Sequence, residues 1–160
     1  RPAEGAVFTL AEFMSLANFD HAVFGGPADF STAKLHRAAL FDDAHFNGRV
    51  DLYLATFYNE AEPGEPSGHV SEAAEPPVSF TNARFEDGIN LPHATLTRQT
   101  RWSRAHVRGP IILRLDGELQ TRTHLEHVPQ VDDATYNGAP LRHEDLGWDG
   151  SKHEQAVLDP

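Results

Sequence analysis

From Ala6 to Phe57 a small residue stands two places before a large apolar one, ten times in succession. The units read Ala6-Val7-Phe8, Ala11-Glu12-Phe13, Ala17-Asn18-Phe19, Ala22-Val23-Phe24, Ala28-Asp29-Phe30, Ala33-Lys34-Leu35, Ala39-Leu40-Phe41, Ala44-His45-Phe46, Val50-Asp51-Leu52 and Ala55-Thr56-Phe57. The large positions advance by five and six residues in alternation, a period of eleven, and a fixed self-similar period names an architecture before local propensity is consulted. On an α-helix, steps of five and six rotate a side chain by about 140° and about 240°, so no apolar stripe forms and the right-handed helical coiled coil is removed. Gly25-Gly26-Pro27 and Asn47-Gly48 also break helices and favour turns. In an extended segment, residues two apart face the same side. The small and large residue of each unit then point inward and the middle one outward, and each unit is a short strand followed by a corner.

Ala28-Asp29-Phe30-Ser31-Thr32 and Ala83-Arg84-Phe85-Glu86-Asp87 resemble the unit of the pentapeptide-repeat proteins: a small residue, a polar residue, Leu or Phe, and two more. The extra residue in every second unit resembles the looser, eleven-residue variety of that repeat. The resemblance implies an all-β fold, a right-handed quadrilateral parallel β-helix with four units per coil and about five to six coils, with the Leu or Phe residues stacked on the axis.

All ten phenylalanines, Phe8, Phe13, Phe19, Phe24, Phe30, Phe41, Phe46, Phe57, Phe80 and Phe85, fall on the large inward positions. Burial of each contributes roughly 1.5–3 kcal/mol, which makes them the structural axis. The alanines are their complement, since small inward residues let successive coils approach at about 4.8 Å. An outward residue such as Asp29 is expected to be replaceable at little cost.

The 160 residues suit a single domain, 1–160. A first repeat run covers 6–57. Residues 58–77 lose the pattern, and between Asn59 and Pro77 lie five glutamates, Glu60, Glu62 and Glu65 among them, with four prolines and no basic residue. This composition suits an acidic excursion loop. A degenerate coil is the competing reading, because Phe57 and Phe80 are 23 residues apart. A second run covers 78–141, where Phe80, Phe85, Leu91, Leu96, Trp102, Val107 and Leu113 alternate again. From Asp116-Gly117 the register slips by one residue and weakens through Leu119, Leu125, Val131, Tyr136 and Leu141. The tail 142–160, with Leu146, Trp148, Val157 and Leu158, is expected to cap the open end of the solenoid or to form a homodimer contact.

A formal charge of −11 disfavours direct nucleic-acid binding. Within that acidic chain Arg98, Arg101, Arg104, Arg108 and Arg114 occur with no acidic residue between them. They form a basic band that reads as a solvated face balancing neighbouring acids or as a contact for phosphate or an acidic partner. Cysteine is absent, so thiol chemistry is excluded. No stretch is apolar enough to span a membrane, and a cytoplasmic location is expected. Arg1 at the start reads as a processed end or a fragment of a longer chain.

Little catalytic chemistry is visible. His124-Glu126-His127 and His143-Glu144 lack metal-ligand spacing. Ser67-Gly68-His69 is no nucleophile elbow. Gly25-Gly26-Pro27 lacks the following helix and Lys of a phosphate loop. A rod with a solid axis leaves no interior substrate cavity, so neither enzyme activity nor a cofactor is expected. Two functions remain. One is a scaffold that docks another protein through Arg98, Arg101, Arg104 and Arg108, the loop or the tail. The other, implied by the resemblance, is an acidic DNA mimic that binds a type II topoisomerase, DNA gyrase. Asp29, Asp42, Asp43 and the loop glutamates would then replace phosphates.

Overall fold

The computed structural model describes residues 4–57, 78–96, 100–113, 123–125 and 128–148, with the side chain of His124 left out. Its strands are two residues long and wind into coils. The first coil holds β1 (Ala6–Val7), β2 (Glu12–Phe13), β3 (Ala17–Asn18) and β4 (Val23–Phe24). The second holds β5 (Ala28–Asp29), β6 (Lys34–Leu35), β7 (Ala39–Leu40) and β8 (His45–Phe46). The third holds β9 (Val50–Asp51), β10 (Thr56–Phe57), β11 (Val78–Ser79) and β12 (Arg84–Phe85). The fourth holds β13 (Ile89–Asn90), β14 (Thr95–Leu96), β15 (Thr100–Arg101) and β16 (His106–Val107). On the fifth lie β17 (Ile111–Ile112), β18 (His124–Leu125) and β19 (Thr135–Tyr136), followed by β20 (Ala139–Pro140).

Like positions of successive coils stack in parallel into four sheets. Sheet one runs β1-β5-β9-β13-β17, sheet two β2-β6-β10-β14-β18, sheet three β3-β7-β11-β15, and sheet four β4-β8-β12-β16-β19-β20. This is a right-handed quadrilateral β-helix, as the repeat implies.

Register follows the coil length. Ala6 pairs with Ala28 and Ala28 with Val50, a coil of 22 residues. From the second coil to the third in sheet three, Ala39 pairs with Val78, 39 residues on. Seventeen residues beyond one coil therefore enter between β10 and β11, and the strands on either side still stack as neighbours: β6 pairs with β10, β10 with β14, and β7 with β11. The loop or degenerate coil expected at 58–77, with Glu60, Glu62 and Glu65, lies outside the described residues. A second insertion follows Leu113. Thr95 pairs with His124, 29 residues on, so the register shifts there by seven residues and not by one. Leu125 takes the place after Leu113 that the repeat assigned to Leu119.

The two step lengths correspond to two kinds of corner. Each step of five is a hydrogen-bonded turn, such as Ala11 N–H donating to the Phe8 carbonyl at 3.0 Å and Ala33 N–H to Phe30 at 3.0 Å. The third residue of these turns has positive φ, at Leu10, His21, Thr32, Asp43, Leu54, Asn82, His93, Arg104 and Asp133, which defines type II turns. Steps of six include the corner between sheets four and one, where glycines lie close against the next coil. A Cβ on Gly48 would lie 2.4 Å from the Pro27 nitrogen, and one on Gly88 2.4 Å from the Pro110 carbonyl oxygen.

The interior holds one column of large side chains per sheet. Phe19, Phe41, Phe80 and Trp102 stack at centroid distances of 5.1, 5.0 and 4.3 Å. Phe24, Phe46 and Phe85 stack at 4.8 and 4.9 Å, and Phe8 lies on Phe30 at 4.6 Å. Columns meet edge to face, as at Phe30–Phe41 (5.7 Å, 89°), the arrangement the ring quadrupole favours. Beside Trp102, Thr100 stands where Ala17 and Ala39 stand in the first two coils, and its hydroxyl accepts the indole N–H at 3.1 Å.

At the far end the chain reverses. β20 pairs antiparallel with β19, and Asn137 (φ 50°) and Gly138 (φ 84°) form the turn, the type I′ geometry of a two-residue hairpin. Leu141 and the short 3₁₀ helix His143–Leu146 follow, with Leu141 and Leu146 buried. A Cβ on Gly147 would lie 3.3 Å from Thr123 and 3.6 Å from Leu113, so this segment folds against the fifth coil.

Candidate functional site

With the interior filled by rings, chemistry is confined to the outward middle residues and the corners. The arginine run does not form a single face. Arg101 is the outward residue of β15 on sheet three, Arg104 sits at the corner between sheets three and four, and Arg108 at the corner between sheets four and one. The run winds around the fourth coil because eleven residues make half a turn. Arg98 and Arg114 lie outside the described residues.

The stacking brings together a different set. Arg84 is the outward residue of β12 and pairs in register with His106 of β16. Beside them Arg104 lies over Asn82, since the Asn82 N–H donates to Ser103 on the next coil at 3.0 Å. Arg84, Arg104, His106, His45, Asn82 and Asp43 line one shallow groove. Arg84, Arg104 and His106 are exposed, and among the described residues neither Arg84 nor Arg104 makes an ion pair. The neighbouring basic side chains are engaged: Arg101 Nε donates to Gln130 Oε1 at 3.1 Å, Arg108 lies 3.7 Å from Glu86, and His45 Nε2 is 3.2 Å from Glu86 Oε1. His106 Nδ1 is 2.7 Å from the Thr135 hydroxyl.

The acidic candidates occupy two separate places, and most of their carboxylates serve the fold. On sheet one, Asp29 Oδ1 accepts the Ser31 N–H at 2.9 Å and the Ser31 hydroxyl at 2.6 Å. Burial raises the Asp29 pKa, but the Ser31 hydroxyl and N–H and the Thr9 hydroxyl outweigh it, and the carboxyl sits below the usual aspartate value. Asp51 repeats the motif, accepting the Tyr53 N–H at 2.9 Å and the Asn90 amide at 3.1 Å. At the corner of sheets three and four, Asp20 accepts the Asp42 N–H at 2.9 Å. Asp42 in turn accepts the Ser79 hydroxyl and the Thr81 N–H. Asp43 is exposed, 3.9 Å from His21, and it shares its corner column with Asn82 and Arg104.

No three His, Asp or Glu side chains converge as metal ligands among the described residues. His143 and Glu144 sit exposed on the 3₁₀ helix. No described helix is long and apolar enough to cross a membrane.

The molecule is thus a four-sided β-helical solenoid with a mixed-charge surface. A family model described as pentapeptide repeats (9 copies) matches residues 19–62, so this part of the chain is pentapeptide-repeat sequence. No curated protein and no solved structure matches the chain at a significant level.

Proposed function

We propose that the protein is a non-enzymatic interaction scaffold, a rigid rod that docks a carboxylate-rich protein partner through Arg84 and Arg104. The observation that carries this reading is the pair itself: two exposed guanidinium groups on consecutive coils, without ion-pair partners among the described residues, facing one groove. Guanidinium pairs bidentately with carboxylate and is enriched at protein interfaces. A filled β-helix supplies fixed spacing between such groups, and its repeat carries no chemistry of its own.

The acidic DNA mimic that binds DNA gyrase is supported by the net charge of −11. The corner of sheets three and four weighs against it, because Thr81 and Ser103 separate Asp20 and Asp42 from Asp132, and Asn82 and Arg104 separate Asp43 from Asp133. Of the proposed phosphate substitutes, Asp29 and Asp42 also already hold the backbone.

The two readings separate by substitution. Partner capture from the native host should be lost with Arg84→Ala/Arg104→Ala and retained with Asp43→Asn, and the wild-type protein should leave gyrase supercoiling unchanged. Loss of capture with Asp43→Asn alone, or protection of gyrase at low salt, would overturn the docking reading in favour of mimicry.

A further inference from the structure

We infer that the docking site extends past the two arginines to His45 and His106, so that capture of an acidic partner takes up protons and tightens as pH falls below neutral. The enlarged site rests on the docking reading above and adds the residues that decide when it binds.

Sheet four supplies the geometry. His45 of β8 pairs in register with Arg84 of β12, and Arg84 with His106 of β16. The three outward side chains therefore stand on consecutive strands about 4.8 Å apart, with no carboxylate on a strand between them. All three line the groove that Arg104, Asn82 and Asp43 complete. Arg84 and His106 also line the adjoining groove, beside Glu86, Arg108 and Thr135.

The two imidazoles differ in what faces them. His45 has Val23 on the strand before it, and its Nε2 lies 3.2 Å from Glu86 Oε1, so its positive form already has a carboxylate. His106 is exposed. Its Nδ1 is 2.7 Å from the hydroxyl of Thr135 on the strand after it, which leaves Nε2 for a ligand. Three arginines, Arg84, Arg104 and Arg108, share its two grooves. The acids there are engaged elsewhere, Glu86 with His45 and Arg108 and Asp43 with His21. Among the described residues no acid stands within ion-pair distance of His106.

A proton on His106 thus adds a positive charge beside Arg84, and like charges on adjacent strands repel. A partner carboxylate placed between them is attracted to both. Docking and protonation are then coupled, each strengthening the other by the same factor. Over this interval imidazole changes charge, while guanidinium stays positive and the carboxylates of a partner stay negative. His106 carries the larger share of the effect, because His45 has Glu86 whether or not a partner is bound.

Titration of the full chain with poly-aspartate at low salt, from about pH 7.5 to about pH 5.5, tests this, since the carboxylates of that probe stay largely ionised throughout. Wild-type affinity should rise by about tenfold, the change for uptake of about one proton over about one pH unit. His106→Asn should lose most of that rise and His45→Asn little of it. His93→Asn, at the corner between sheets one and two, should keep the whole rise, which separates the site from the general loss of negative charge in acid. His106→Lys, positive throughout, should bind at the upper pH about as tightly as wild type binds at the lower. Wild-type binding that ignores pH, or a rise unchanged in His106→Asn, would overturn the inference and leave the docking reading standing. No binding at either pH would overturn both.

Discussion

The Asp29 carboxylate accepts both the backbone N–H and the hydroxyl of Ser31, two residues further round the coil, at 2.9 and 2.6 Å. An outward aspartate that the repeat alone marks as expendable thus fixes the start of a corner. Asp29→Ala should therefore cost about 1 kcal/mol in chemical denaturation at neutral pH, where an outward residue without partners costs within about 0.5 kcal/mol. The effect is pH-dependent. The carboxyl lies below its ordinary value in the fold, so its contribution is complete above the unfolded-state aspartate value and is lost as pH falls through the lowered folded-state value. The stability gap between wild type and Asp29→Asn should narrow in acid. A gap that does not change with pH would show that the charge is not used.

Phe30 is 1% exposed and touches Phe8 and Phe41 in different columns. Phe30→Ala should lower stability by about 3–5 kcal/mol, since a cavity opens on two columns at once. Thermal unfolding at matched concentration measures it, and a loss below about 1 kcal/mol would contradict the filled interior.

The two corner types predict opposite responses to glycine chemistry. Leu54 sits in a type II turn at φ 58° and is 42% exposed, so Leu54→Gly should relieve left-handed strain and stabilise by up to about 1 kcal/mol. Gly88→Ala would place a Cβ 2.4 Å from the Pro110 carbonyl oxygen at φ 84°, and should destabilise by more than about 1 kcal/mol. Denaturant midpoints of the two variants should move in opposite directions.

Much of the fold was legible because the interior is built from one column per side and tolerates one kind of residue there, so the five-six step from Phe8 to Phe57 reports the coil directly. The corners were legible as step lengths, though their turn type was not, since Leu54 and Thr32 stand where type II turns usually place glycine or asparagine. The closing hairpin left its signal in Asn137-Gly138, which a five-residue step from Tyr136 to Leu141 disguised as another repeat. The surface was least legible. Arg98 to Arg114 look contiguous in sequence but wind around a coil, whereas Arg84 and Arg104, twenty residues apart, meet because nearly one coil separates them. Outward residues are compared correctly at the coil spacing, not along the chain.

The third coil predicts the consequence of a deletion. The corner of the second coil at the same place consists of His36, Arg37 and Ala38, and β10 and β11 stack on their neighbours whatever lies between them. Replacing residues 58–77 by His-Arg-Ala should leave the β spectrum and the melting temperature nearly unchanged, as closing a surface loop costs little. Loss of folding would assign those residues to the solenoid.

The central claim, that the rod presents Arg84 and Arg104 to carboxylates, is tested most directly by an NMR titration with poly-glutamate at low salt, where charge pairing is least screened. The side-chain Nε–H signals of Arg84 and Arg104 should shift together and saturably, while Arg108, beside Glu86, moves little. Equal, non-saturating shifts at every arginine, or none at Arg84 and Arg104, would contradict it.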